Sequence, residues 1–414
     1  MQPSHPIPKA TLFSAVVIVA ALGYFVDIYD LILFSIVRVK SLTELGVTPG
    51  TPEMTNQGLF LINMQMGGML LGGLLWGILG DKRGRLSVLF GSILLYSLAN
   101  IANGFVTSID QYAWLRLIAG VGLAGELGAG ITLVSESLPK EKRGYGTMIV
   151  ATVGVSGAML GYWVGDKFGW RNAYFVGGGL GLALLVLRVS VFESGMFQQV
   201  QAQAEVARGN FLSLFTDAER LGKYLRVLLI GVPLWFVVGI LVTLAPEFGK
   251  ALGLTGEVEA GLAVFWCYFG LVFGDFASGA LSQLWHSRNK ALKVFLGFCA
   301  TLVAVYLFGV KGASPATFYT VCFVLGVSVG FWALFVTVAA EQFGTNLRAT
   351  VATTAPNFAR GAVVGLVPAF KALSGALGFI PGAAVLGGLT LVVAFWAVST
   401  LPESYGKDLN YVEE

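Results

Sequence analysis

Charge is what this sequence has least of. Of its 414 residues only 12% are Asp, Glu, Lys or Arg, while 56% are apolar and the mean hydropathy is +0.77. A soluble domain carries about 25% charged residues, so a chain this poor in charge could not cover itself with polar groups in water. The composition excludes an ordinary soluble protein and points to the bilayer as solvent. Histidine is nearly absent, with only His5 and His286. The three cysteines, Cys267, Cys299 and Cys322, show no metal-ligand spacing and read as apolar fillers. There is no basic tract for nucleic acid, no phosphate loop, no nucleophile elbow and no metal cluster. An enzyme is therefore not expected, no cofactor is implied, and any energy source is an ion gradient rather than ATP. No cleavable signal peptide is evident, because the first apolar stretch is too long for one.

Glycine, by contrast, is abundant, at 55 residues, as suits helices that approach closely in a membrane. Stretches of about 20 apolar residues, the length needed to span a bilayer, occur twelve times. They run over 12–37, 57–80, 86–106, 111–138, 145–165, 172–191, 224–248, 258–284, 291–310, 316–343, 349–373 and 377–401. The predicted fold class is an all-α membrane protein of twelve transmembrane helices in two six-helix bundles. The predicted organisation is a bundle over 1–191, a cytoplasmic linker over 192–223, a second bundle over 224–401 and a tail over 402–414. Of the 26 Lys and Arg, seventeen fall on the side of the termini and seven opposite, Arg188 among the first and Arg38 among the second. By the positive-inside rule both termini face the cytoplasm. A multi-pass protein of the bacterial inner membrane is expected, as a monomer with a small-molecule substrate and the lipid bilayer as its partners.

The halves echo each other. Glu136 precedes Arg143 by seven residues at the end of the fourth stretch, and Glu341 precedes Arg348 by seven at the end of the tenth, 205 residues on. Gly77-Ile78-Leu79 likewise matches Gly279-Ala280-Leu281 at an offset of 202. Parallel repeats imply two bundles that rock about a central site.

The turn after the second stretch reads Gly80-Asp81-Lys82-Arg83-Gly84-Arg85. It resembles the cytoplasmic signature of the major facilitator superfamily. Arg116-Leu117-Ile118-Ala119-Gly120 through Glu126, Glu136 through Gly144, and the tail Pro402-Glu403-Ser404 are similar to further signatures of its metabolite–proton symporters, sugar porters and organic ion transporters. The resemblance covers the whole chain. It implies alternating access, with Asp81, Arg83, Gly84, Arg85, Glu136, Arg143, Glu341 and Arg348 as a conformational latch. The second-half turn, Gln283 to Lys290, lacks the acidic residue and the glycine, so a weaker latch is expected there.

Charges inside a bilayer are costly, and each is a functional candidate. Asp27 and Asp30 share one face of the first helix with Tyr24. Two carboxylates so close in low dielectric cannot both ionise cheaply, so one is expected to hold a proton near neutral pH. With Glu126 they are the proton-coupling candidates, and the coupling ion is expected to be H+. Arg116 and Asp275 are expected to tie helices together. Arg360 lies about 17 Å into the eleventh helix, with Asn357 on the same face. A central Arg cannot lose its charge and needs an anion. Either the substrate or a permanent partner such as Glu126 or Asp27 supplies it. Trp235 and Trp332, beside Pro233 and Gly330, are candidate walls of the site. The expected function is proton-coupled symport of a small organic anion. A proton-driven exporter, an organic cation facilitator and a non-transporting receptor are the alternatives.

Overall fold

The computed structural model describes residues 14–83, 85–126, 134, 138, 143–193 and 214–407. Among these the chain is helical with short turns, and no strand occurs. The first half comprises α1 (Ala15–Glu44), α2 (Pro52–Arg83), α3 (Arg85–Asn103), α4 (Ile109–Leu123), α5 (Arg143–Val155), α6 (Gly157–Lys167) and α7 (Trp170–Glu193). The second comprises α8 (Ala218–Phe236), α9 (Ala245–Ala251), α10 (Ala260–Leu284), α11 (Arg288–Ala304), α12 (Pro315–Val329), α13 (Trp332–Glu341), α14 (Thr345–Gly361), α15 (Val363–Leu377) and α16 (Phe379–Thr400). Helix starts follow local chemistry. Ser108, Asp217, Ser287 and Ser314 each accept a backbone N–H from the first turn that follows, and Pro315 occupies a first-turn position where no N–H is missed.

Ten helical stretches among the described residues are long and apolar enough to cross a membrane, and Leu89–Asn103 is a shorter apolar helix. The fourth expected span is described continuously as far as Glu126, and beyond it only at Val134 and Leu138, its regular helix ending at Leu123. Several spans are compound. The helices α5 and α6 together make the fifth, α12 and α13 the tenth, and α14 and α15 the eleventh. The sequence boundaries need one consequential correction: the first helix runs on to Glu44 rather than ending at Val37, so Arg38 lies within it.

The duplication is visible in the packing. In the first half α2 crosses α4 so closely that a Cβ on Gly68, Gly72 or Gly120 would run into the carbonyl oxygens of Leu117, Val121 and Gln65. In the second half Gly270, Gly274 and Gly326 stand against the carbonyls of Phe323, Val327 and Cys267. Every position of the α2 set recurs in α10 after 202 residues and every position of the α4 set recurs in α12 after 206, with each glycine kept and Gln65 and Leu117 replaced by Cys267 and Phe323. Helix backbones in lipid associate by such small-residue contacts. Both helices also break at the matching place, α4 at Ala124 and α12 at Gly330. Between the halves, α2 meets α14 and α5 meets α10. Second span against eleventh and eighth against fifth are the same contact with the halves exchanged, which is two-fold pseudo-symmetry.

Candidate functional site

Among the described residues, two ion pairs with fully buried arginines cross the interface between the halves, one of them at Arg360. Arg360 closes the last turn of α14, beyond the Pro356 that interrupts its hydrogen-bond ladder. It is fully buried, and its Nη2 lies 3.5 Å from Oδ2 of Asp27 on α1. Of the partners open to Arg360 in the sequence, the protein carboxylate in this conformation is Asp27 and not Glu126. The contact is long and single. Arg360 Nε and Nη1 and Asp27 Oδ1 have no hydrogen-bond partner among the described residues.

Two indoles flank the guanidinium. Trp235 sits at the end of α8, where Pro233 and the π-helical turns of Val237–Val242 disturb regular winding. Trp332 opens α13 just after the break at Gly330. The rings meet edge to face at 5.8 Å, and Arg360 Cζ lies 5.8 Å from one centroid and 5.6 Å from the other. A cation over a desolvated indole gains about 2 kcal/mol. Trp235 Nε1 is buried without a partner among the described residues. These groups, with Tyr24 and Tyr268, line a cavity of about 10 Å³, roughly the room one water needs. Its lining side chains are buried, and they come from both halves.

Asp275, expected to tie helices, reaches from α10 to the start of α13. Its Oδ1 accepts the backbone N–H of Ala333 at 3.0 Å. It thereby caps α13 across the break and fixes the backbone that carries Trp332. Asn357 does not line the cavity. Its amide donates to the carbonyl of Ala124 in the other half at 2.7 Å and to Thr353 in its own helix. The sequence placed Asn357 on the right face of its helix, but not the partner that occupies it.

Asp30 lies one turn beyond Asp27, buried, with both carboxylate oxygens unpartnered among the described residues. Arg116 packs beside it. Its guanidinium reaches Asn100 Oδ1 at 3.4 Å and the Asp30 carbonyl at 3.5 Å, and stands over the rings of Tyr174 and Phe34. Glu126 makes a buried two-point ion pair with Arg188 of α7, Nη1 to Oε2 at 2.9 Å and Nη2 to Oε1. Gly23 of α1 leaves the room for that pair. Arg188 is the residue that sequence reasoning missed. Counted with the cytoplasmic charges, it is only 2% exposed inside α7. The signal was there, since a lone Arg before Val191 still falls within the apolar run.

Of the expected latch, the side chains of Asp81, Arg83, Arg85 and Arg143, and all of Gly84 and Glu136, lie outside the described residues. The second-half cluster is described, and Glu341 is bound there by Arg288, Nη2 to Oε1 at 3.1 Å. Arg348, the residue paired with Glu341 by spacing, instead donates weakly to the Phe343 carbonyl. Arg288 also donates to Ser282, and Ser404 of the tail donates to Glu341. The acidic residue missing from this turn is thus supplied from α13, and the missing glycine by His286. His286 stands 202 positions after Gly84 and adopts φ +50°, a left-handed conformation that His tolerates better than most residues.

A family model described as the Major Facilitator Superfamily matches residues 17–379. The niacin transporter NiaP of Acinetobacter baylyi is 25% identical over 364 residues, covering 80% of each chain. The 3-(3-hydroxy-phenyl)propionate transporter of Escherichia coli is 28% identical over 343 residues, covering 77% of this chain and 80% of that one. Among solved structures, the proton:xylose symporter XylE bound to 6-bromo-6-deoxy-D-glucose superposes with a TM-score of 0.69 at 15% identity, over 95% of this chain and 97% of the other.

Proposed function

The chain belongs to the Major Facilitator Superfamily and is a multi-pass membrane transporter of small organic solutes, not an enzyme; from that premise we propose that it carries a one-ring aromatic carboxylate together with protons. The observation that carries the reading is Arg360. A fully buried guanidinium holds one long contact and two idle donors between two indole rings. A substrate carboxylate would bind it two-fold, which suits the planar fork better than the present single contact. The rings supply apolar walls for an aromatic body, and Trp235 Nε1 a spare donor. The relatives named for niacin and for a hydroxyphenylpropionate agree with this class of solute.

Proton coupling follows from the exchange of partners. When a substrate anion takes Arg360, Asp27 is left with no countercharge in a dry site. An uncompensated buried carboxylate costs several kcal/mol, so Asp27 binds a proton instead. Release of the anion returns Arg360 to Asp27 and frees the proton. Asp30, with no hydrogen-bond partner for its carboxylate among the described residues, is the second proton carrier. Glu126, the third candidate, is held at two points by Arg188 in this conformation.

The test is a thermal-shift series on the purified protein with benzoate, nicotinate, benzylamine and benzyl alcohol. Ligands that bind only the folded state stabilise by about 2.7 kcal/mol at a hundredfold excess over Kd. The two acids are expected to raise Tm, and Arg360→Ala to abolish the rise. A rise with the amine or the alcohol alone would make Arg360 a fixed partner of Asp27 and sink the anion reading.

A further inference from the structure

A second arginine stands at the interface, outside the mechanism just proposed. Arg38 is fully buried near the end of α1 that lies away from the chain's tail. Its Nη2 donates to Oε2 of Glu247 at 2.7 Å, and Glu247 belongs to α9 in the other half. Arg38 Nε and Nη1 have no partner among the described residues. Gly58 of α2 faces the guanidinium, and a Cβ there would come within 2.9 Å of Nη1. The guanidinium thus packs directly on the α2 backbone, at a position where any side chain would displace it.

Arg38 follows Asp27 by eleven residues, three turns and about 16 Å along the same face of α1. Two arginine–carboxylate pairs thus stand in file at the interface, with the halves exchanged. Asp27 of the first half meets Arg360 of the second, and Glu247 of the second meets Arg38 of the first. Each arginine keeps Nε and Nη1 idle. Around the outer pair, Thr243 donates to Ser35 at 3.1 Å and Lys250 to the Gly50 carbonyl at 3.2 Å, both across the halves. This seam must part when that end of the transporter opens. Glu247 rides on a seven-residue helix behind Pro246 and the π-helical turns of Val237–Val242.

We propose that Arg38 is a vestibular binding site for the organic anion. As the seam parts, Glu247 leaves with its half, and a substrate carboxylate takes its place on Arg38 before passing to Arg360. The inference rests on the anionic substrate proposed above. It differs from a simple clasp in one measurable way. If the pair only holds the end shut, losing either partner has the same effect. If Arg38 binds the anion and Glu247 competes with it, the two losses act in opposite directions.

The experiment is counterflow of labelled benzoate and nicotinate in proteoliposomes containing the full chain, with Arg38→Gln, Arg38→Lys, Glu247→Gln and the double variant. Loss of a charged hydrogen bond corresponds to about tenfold or more in affinity. Arg38→Gln is expected to raise KM by that factor, Arg38→Lys to raise it less, and Glu247→Gln to lower it. The double variant is expected to follow Arg38→Gln. Should Arg38→Gln fail to fold, Arg38→Lys and Glu247→Gln carry the same contrast. Shifts of KM in one direction for both partners, or none for the arginine variants, overturn the vestibular site alone. A wild-type protein that carries neither acid overturns the anion reading and this inference together.

Discussion

Glu126 and Arg188 show what a buried charge requires at the scale of single residues. Their side chains are 2% and 3% exposed, and each is the other's ion-pair partner. Removing one member of such a pair leaves an uncompensated charge and costs about 3–5 kcal/mol, while replacing both is far milder. Arg188→Gln is expected to lower the melting temperature sharply, and Glu126→Gln combined with Arg188→Gln to recover most of the loss. A double variant as unstable as the single one would mean that the pair does not account for the burial. At this scale the sequence was informative wherever a charge stood deep inside a long apolar run. Asp27, Asp30, Arg116, Asp275 and Arg360 were legible because the bilayer makes each one expensive. Arg38 and Arg188 were passed over because they stand near the ends of their runs, where a charge normally belongs to a loop, although Arg188 still falls inside the sixth stretch. Partners were illegible for another reason. Helical spacing predicts which residues share a face, and it put Asn357 beside Arg360. What that face meets in the other half, here the Ala124 carbonyl, depends on packing between segments more than 200 residues apart.

Among the elements, the tail and the turn before α11 form a unit that the sequence showed only as a motif. Glu403 accepts the backbone N–H groups of Arg288 and Asn289, at 2.9 and 3.2 Å, and the Ser287 hydroxyl, so it caps α11 from outside the helix. Partial burial opposes its ionisation, but the bonds from Ser287, Tyr405, Arg288 and Asn289 outweigh it and hold the carboxyl below the usual range. A group whose folded pKa is depressed contributes stability above its unfolded pKa, about 4.3 for Glu, and loses it as pH falls through the folded value. The wild-type protein is therefore expected to lose thermal stability below pH 4 more steeply than Glu403→Gln, and to exceed it at pH 7. Parallel curves would remove Glu403 from the cap. The spans were legible because a bilayer sets their length. Their interior breaks at Ala124 and Gly330 and the π-helical turns were not. The backbone groups freed there are satisfied by distant partners, as Asp275 satisfies Ala333.

For the whole molecule, the duplicated glycine crossings pack each half on itself, and Asp27–Arg360, Arg38–Glu247 and Asn357–Ala124 join the halves across the interface. On the mechanism proposed here, alternating access amounts to parting one seam while the other holds, around an arginine whose partner is either Asp27 or the substrate. That substitution is the central claim, and uptake of labelled nicotinate into proteoliposomes under an imposed inside-alkaline pH gradient tests it most directly. The account predicts accumulation above the external concentration, collapse of that accumulation on adding a protonophore, and its loss in both Asp27→Asn and Arg360→Ala. Uptake that is equal with and without the gradient, or unchanged by Arg360→Ala, contradicts it.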